Sequence, residues 1–384
     1  MPNLRFPEFS GEWVETTIGD VAPLQRGFDL PTKDVIEGTY PVVYSNGILR
    51  NHKYYKCEAP GLITGRSGSI GNFTYINEGK YWPHNTSLWV TNFNNNYPLF
   101  IYYLYQTIDI SQYSSGSSVP TLNRNDVHKH TVSLPEYNEQ TKIADFLAKI
   151  DERIETQKKI IEDLKKLKDA IAEKLFCGPD DDYPELRIID SSEKWKLYRL
   201  KDVCQRITER NSQGSSSLVL TIAAQHGLVS QTDFFNKSVA SENLSNYFLI
   251  HKGDFAYNKS YSGEYAWGAV KRLNLYEEGL LSPLYICFRP DPTVVNSDFL
   301  SHYFESHKWH NGIAQIAGEG ARNHGLLNVS ISDYFATLYR FPGLPEQEMI
   351  ANYLNLLSDK ISLASNELEC YIRQKKYLLT RMFI

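Results

Sequence analysis

The chain has 384 residues, of which 42% are hydrophobic and 22% are charged, and its formal net charge is −5. This length predicts at least two domains, and this composition excludes an intrinsically disordered chain. The acidic balance also excludes a protein that coats nucleic acid without selectivity, because such binding depends on neutralising phosphates. A nucleic-acid-binding protein of this charge must concentrate its cations locally or share the backbone contacts with a partner.

We find no apolar run near the ~18 residues that a membrane-spanning helix needs, and the first residues lack the apolar core of a signal peptide. The five cysteines lie far apart and form no CxxC pair, so neither a zinc site nor a disulfide framework is predicted. We therefore expect no membrane partner and a location in the reducing cytoplasm.

Residues 1–135 are predicted to form a first globular domain, the first head. Short β-type runs such as "YPVVYSNG" and "GLITGRSGSIGNFTYI" alternate with polar turns. The richest loop is "TGRSGSIGN", where glycines permit a close backbone approach and Arg66, Ser67 and Ser69 offer hydrogen-bond donors. It lacks the GxxxxGK[ST] pattern of a phosphate-binding P-loop. An ordinary flexible hairpin is the alternative interpretation of this stretch.

Residues 136–177 are predicted to form one long helix. Its apolar residues recur at alternating spacings of four and three, which is typical of a coiled-coil seam. Gln157 and Lys168 are polar residues at two seam positions. A helix of roughly 36–40 residues is about 55–60 Å long. The seam residues are Ile143, Leu147, Ile150, Ile154, Ile161 and Leu164.

The rest of the chain repeats this order, with a second head at 178–341 and a second long helix at 342–384. Seven early residues recur at a constant offset of 182, and the helix start "PEYNEQ" recurs as "PGLPEQ" at an offset of 207. The second head is therefore about 25 residues longer than the first. The early pairs are Pro2/Pro184, Leu4/Leu186, Arg5/Arg187, Ser10/Ser192, Trp13/Trp195, Asp20/Asp202 and Val21/Val203.

The second helix keeps the seam register of the first, and Lys375 matches Lys168. Each apolar stripe could fold back on its own head, or the two stripes could pack against each other, which we favour. A two-fold relation between the repeats would make the helices antiparallel and place one head at each end of a rod. The second seam comprises Ile350, Leu354, Leu357, Ile361 and Leu368. The predicted fold class is α+β, with a pseudo-two-fold internal repeat of two globular α/β domains joined by two long antiparallel coiled-coil helices.

The two heads repeat their β framework, but the polar residues of their loops differ. Arg, Asn, Gln and His suit base edges in a groove, whereas Ser, Thr and Lys suit phosphates. We therefore predict two DNA-reading heads set to different half-sites. The candidate DNA-binding residues are Ser45, Asn46, Arg66, Ser67, Ser69, Ser117, Ser118, Thr121, Asn123 and Arg124 in the first head, and Gln225, His226, Asn258, Lys259, Ser260, Tyr261, Arg322, Asn323 and His324 in the second.

No catalytic constellation is found. The [ND]PP[YF] pattern of adenine methylation and a glycine-rich cofactor fingerprint are both missing. His128 and His130 alternate on what we predict to be a short strand, without an acidic or cysteine partner, so we expect surface histidines rather than metal ligands. We expect no enzyme activity and no metal site in this chain.

The order of these elements resembles the specificity (S) subunit of type I restriction–modification enzymes, the HsdS family. The resemblance rests on the opening "LRFPEFSGEW", the phrase "KGDFAYNKS" and the duplicated helix start P-x-x-x-E-Q-x-x-I-A-x-x-L, and it spans essentially the whole chain. The second helix has weaker seam residues, among them Ala364 and Tyr371.

The resemblance implies that the heads are target recognition domains, each reading half of an asymmetric bipartite DNA sequence. It implies that the two helices set the gap between the half-sites and dock two modification subunits, which transfer methyl to adenine N6. Restriction subunits would add ATP-driven translocation and cleavage. No cofactor is expected in this chain, whereas S-adenosylmethionine, ATP and Mg are expected in the partner subunits.

Two interpretations from other classes stay open at this point. One is a coiled-coil scaffold whose heads bind protein or glycan without reading DNA. The other is a stand-alone nuclease or methyltransferase, which the missing motifs disfavour.

Overall fold

The computed structural model describes residues 2–116, 120–223, 227–235, 243–260, 265–317 and 327–383. The chain divides into two compact units, a first unit of Met1–Lys159 with Ser365–Ile384 and a second unit of Ile160–Ala364. The predicted mixture of sheets and helices, with two long helices, is confirmed. No helix in the described ranges is long and apolar enough to cross a membrane.

The first unit carries a β framework with short helices. Its four-stranded sheet has the order Leu24–Arg26, Ser87–Val90, Gly61–Gly65, Phe73–Ile76, and all neighbours are antiparallel. A second four-stranded sheet has the order Gly47–His52, Tyr40–Tyr44, Lys80–Pro83, Cys57–Glu58. The other strands are Val14–Thr17, Ser114–Ser115, Thr121–Leu122 and Thr131–Leu134, and the α-helices before the first long helix are Ile18–Val21, Pro98–Thr107 and Arg124–His128.

The second unit repeats the same sheet in the same order. Its strands are Cys204–Arg206, Ile286–Pro290, Phe255–Asn258 and Ala269–Arg272. The two-stranded ladder of Val14–Thr17 with Thr131–Leu134 likewise has a counterpart in Lys196–Arg199 with Leu338–Phe341. The remaining strands are Leu220–Ala223, Gly227–Ser230, Phe248–His251 and Glu278–Leu281, and the short helices are Leu200–Val203, Gln231–Phe235, Ser297–Glu305, His310–Ile316 and Ile331–Ala336.

The long helices run from Tyr137 to Leu175 and from Leu344 to Met382, with 39 residues each. In the first unit their segments are antiparallel, because Asp151 pairs with Lys375 at 2.7 Å while the later Gln157 bonds the earlier Glu367 at 3.2 Å. These contacts give Lys375 and Gln157 polar partners on the facing helix, which explains how polar side chains can occupy seam positions. In the second unit Lys168, the counterpart of Lys375, pairs with Glu305 at 2.9 Å.

The apolar stripe of each long helix packs on a head as well as on the other helix. Ile143 and Leu147 share a core with Phe100 of the first head and with Leu378 of the second long helix. Of the predicted seam, Ile143, Leu147, Ile150, Ile154, Ile161, Ile350 and Leu354 are buried, and Leu164, Leu357, Ile361 and Leu368 are half-buried. The two packing modes weighed from the sequence therefore occur together.

The Glu-Gln pair at the start of each long helix joins that helix to its head. Glu139 receives two bonds from Arg5, each of 2.6 Å, and its counterpart Glu346 receives two from Arg187, of 2.8 and 2.7 Å. Such bidentate pairing fixes orientation as well as charge. Gln140 and Gln347, both buried, each accept from the backbone N–H that precedes a short helix and donate to the carbonyl of Pro135 or Pro342.

The core of each unit is completed by the C-terminal end of a long helix that belongs to the other repeat. In the first unit Phe383 stacks on Phe100 at 5.1 Å, and the Leu4 N–H donates to the Arg381 carbonyl at 2.8 Å. In the second unit Phe176 packs on Phe299 at 5.3 Å, and the Leu186 N–H donates to the Lys174 carbonyl at 2.9 Å. Leu4 and Leu186 are related by the offset of 182. Lys174 and Phe176 are related to Arg381 and Phe383 by the offset of 207. The repeat therefore extends to individual tertiary contacts.

Candidate nucleic-acid interface

Four loops of the first unit meet and form the first loop cluster, comprising 45–46, 66–69, 84–86 and 121–124. The Arg66 N–H donates to the Thr86 carbonyl at 2.9 Å, and the Arg66 carbonyl accepts from Leu122 N–H at 2.7 Å. Ser67 forms a bridge with Thr121, and the Ser45 N–H donates to the Thr86 hydroxyl at 3.3 Å. These contacts thus bring together loops whose bonded residues are 20 to 56 positions apart in the chain.

Gly65 permits this meeting by lying directly against the loops. A Cβ atom at this position would lie 2.2 Å from the Ser69 carbonyl oxygen and 3.0 Å from that of Ser45. The close approach expected of the glycine-rich stretch therefore occurs within the protein. It supports the loop cluster itself.

The candidate side chains of this cluster differ in their exposure and in the partners that they already bind within the protein. Asn46 and Arg124 are exposed, and Arg66 is half-buried. Within the described chain neither arginine has a carboxylate at salt-bridge distance, and Arg66 makes only a long bond of 3.5 Å to the Asn85 carbonyl. Asn123 caps the helix Arg124–His128 by accepting from the Asn125 N–H at 3.1 Å, so its amide already has a structural partner.

The second unit offers the corresponding loop after Asn258. The Lys259 carbonyl accepts from the Leu327 N–H at 2.9 Å, which is the same bond that Arg66 makes with Leu122. Lys259 has no carboxylate partner among the described residues, and Ser260 is exposed with its N–H bonded to the Asn258 side chain at 3.0 Å. The candidates Ser117, Ser118, Gln225, His226, Tyr261, Arg322, Asn323 and His324 lie outside the described residues.

Residues 10–166 match the family model described as the type I restriction modification DNA specificity domain. These residues belong to that domain family. The match includes the whole first loop cluster, and it favours DNA over the protein or glycan ligands of a scaffold.

The full chain is also similar to solved type I proteins. It matches the S subunit of the type I restriction–modification system from M. genitalium with a TM-score of 0.59 and 15% identity, over 100% of this chain and 99% of that one. It matches a chain from a structure on complex assembly and conformational transition of the type I system with a TM-score of 0.54 and 15% identity, over 97% of both chains. At this identity these matches establish a shared fold over the whole length. Together with the domain match they confirm the predicted resemblance to type I specificity subunits.

In the specificity domain, the loop of His84, Asn85 and Thr86 was missed by sequence reasoning. The His84 ring lies 4.2 Å from that of Tyr44, and its Nδ1 bonds the Thr86 hydroxyl at 2.9 Å. Burial lowers the pKa of His84, so the imidazole is neutral near pH 7. The signal was a short polar run, "HNTS", between two strands, but only the sheet order shows that it lies beside Arg66.

The two histidines considered as metal ligands have other roles, and their predicted strand is wrong. His128 ends the helix Arg124–His128, where its Nε2 accepts from the Leu24 N–H at 2.8 Å. His130 bonds the Tyr113 hydroxyl at 2.8 Å. Both rings are half-buried instead of lying on the surface, because each holds a loop to the framework. No group of metal-ligating side chains occurs in the part of the chain that is described.

The buried thiols are not poised as nucleophiles. Burial raises the pKa of Cys57 to about 11 and those of Cys177 and Cys287 to about 12. A thiol with such a pKa is almost entirely protonated near pH 7, whereas the thiolate is the reactive form. Cys370 is exposed and free.

Proposed function

We propose that this chain is the DNA-reading, non-catalytic subunit of a type I restriction–modification complex, and that its two heads read the two halves of an asymmetric bipartite target. The observation that carries the proposal is the repeated loop frame with exchanged side chains. The same backbone bond holds Arg66 in one unit and Lys259 in the other. A frame kept for stability alone has no need of different cations at its loop tips.

The physical basis is a division between positioning and reading. Lysine, serine and threonine of the loops would bind phosphates and set the register, whereas arginine and asparagine would meet base edges in a groove. The two long helices would set the gap between the half-sites, since a 39-residue helix spans about 58 Å. The gap itself would not be read.

The partners follow from this division. We propose double-stranded DNA, two modification subunits docked on the long helices, and restriction subunits in the full complex. S-adenosylmethionine, ATP and Mg would be bound by those partners, and the target adenine would be flipped into a modification subunit's pocket. With a net charge of −5, this chain alone would bind DNA weakly, and the modification subunits would add backbone contacts.

The paired variants Arg66→Ala and Lys259→Ala test the proposal. Loss of a base-edge contact costs about 1–3 kcal/mol of discrimination, so we expect Arg66→Ala to relax or weaken one half-site only. Lys259→Ala removes a phosphate contact, so it should lower methylation of the whole motif without relaxing the sequence of either half-site. The measurement is N6-methyladenine mapping with each variant in its complex, and each variant is the matched control for the other. A relaxed sequence at both half-sites after either single variant would contradict independent reading heads.

A further inference from the structure

The first unit has a second concentration of unpaired positive charge outside its loop cluster. Residues 2–135 contain ten lysines and arginines, and four of them pair with a carboxylate in the described structure. Three of the other six fall within seven residues, Arg50, Lys53 and Lys56. We call residues 50–56 the basic shelf.

Apart from the buried His52, the basic shelf is exposed, and its backbone is firmly held. The Lys53 N–H donates to the Ile36 carbonyl at 2.9 Å, and the Lys56 N–H donates to the Tyr81 carbonyl at 3.0 Å. Gly38 lies against its backbone, since a Cβ there would be 2.4 Å from the Cα of Lys53. Its cations are therefore carried by a fixed backbone, which lowers the entropy cost of binding a partner.

The composition of the shelf identifies the kind of partner. Tyr54 and Tyr55 are 54% and 38% exposed, and Lys53, Lys56 and Arg50 are all exposed. Arginine and tyrosine occur at both protein and nucleic-acid interfaces, but lysine is depleted at protein–protein interfaces, and all three residue types donate to phosphate oxygens. This chemistry fits a phosphodiester backbone better than a protein surface.

The position of the shelf relates it to the reading loops. The strand Gly47–His52 begins at the turn of the first loop cluster and leads directly to Lys53. Six residues of strand at about 3.3 Å each cover roughly 20 Å, which corresponds to about six nucleotides at 3.4 Å along one DNA strand. Lys53 and Lys56 thus lie far from bases contacted at the Asn46 turn.

We propose that the basic shelf binds the phosphate backbone of the duplex that flanks the first half-site, and so adds affinity without adding sequence information. This inference rests on the proposed function. It means that full binding affinity requires a duplex that extends beyond the recognised sequence on the side of the first head.

The test uses the chain assembled with its modification subunits and the double variant Lys53→Gln/Lys56→Gln. Binding is measured on duplexes that carry the methylated motif with flanks of 2 or 12 base pairs, trimmed on each side in turn, at several salt concentrations. We expect the unaltered complex to bind more tightly when one flank is extended, and the variant to lose that gain. Its salt slope should fall by about 1.8 on the long duplex, at about 0.9 per phosphate contact.

Two controls separate the shelf from general charge and folding effects. Lys53→Arg/Lys56→Arg should retain the gain from the long flank. Lys196→Gln/Lys201→Gln removes the same charge from two exposed positions of the second head and should also retain it. An unchanged melting temperature and complex assembly must accompany the loss.

The outcomes distinguish this inference from the function on which it rests. If the unaltered complex binds the motif and Lys53→Gln/Lys56→Gln keeps the full flank gain, the shelf does not bind the flanking duplex. A loss of subunit assembly instead of DNA affinity would make it a protein interface, and a changed motif would make it a base reader. If the unaltered complex shows no motif, the proposed function itself fails.

Discussion

Phe383→Ala is expected to destabilise the first unit by about 3–5 kcal/mol and to leave the second unit folded. Phe383 is 6% exposed and stacks on Phe100, so its removal opens a cavity beneath the first head. The pair is far apart in sequence, yet both residues belong to one core. Hydrogen exchange read by mass spectrometry would locate the loss of protection, and residues 98–107 should lose it first.

Phe176→Ala is the matched control. Phe176 is its counterpart at an offset of 207, is 1% exposed, and packs on Phe299 and Tyr303 of the second head. We expect this variant to expose the helix Ser297–Glu305 and to spare the first unit. If the same peptides lost protection from hydrogen exchange in both variants, the two helix ends would not each stabilise a separate core.

A chain that carries the second head twice should recognise a symmetric target. Replacing residues 13–135 by 195–342 keeps the pair of Arg5 with Glu139, and it offers Gln140 the Asn296 N–H in place of the Tyr97 N–H. Two identical readers related by a two-fold axis require an inverted repeat. Methylation mapping should therefore yield one half-site twice, in opposite orientations.

The unaltered chain is the control for this exchange, and the duplicated chain must first form a complex with its modification subunits. Retention of the original asymmetric motif would mean that the first head does not determine a half-site. A direct repeat in place of an inverted one would contradict the two-fold relation between the repeats.

The long helices and the repeat were predictable because they rest on periodicity and on identical residues. Apolar spacings of four and three located both helices to within two residues of Tyr137 and Leu344. The recurring Glu-Gln pair was visible as a motif, but its role was not. Only the structure shows that Glu139 binds Arg5 and that Gln140 binds the start of a short helix.

The loop cluster was predictable only in part because it depends on which strands are neighbours. The glycine-rich loop around Arg66 was found from composition, whereas the loop of His84 became a candidate only through its hydrogen bonds to residues 45 and 66. The completion of each core by a distant helix end was likewise hidden. No sequence feature links Phe383 to Phe100. They meet because the C-terminal end of the second long helix packs in the core of the first unit.

Two heads that read two half-sites across an unread gap should direct methylation to a bipartite motif, and mapping N6-methyladenine in cells that contain this chain and its modification partner is the decisive experiment. We expect methylation in one asymmetric bipartite motif with a gap of fixed length. A confirmed complex that methylates no motif, or a single continuous one, would contradict it.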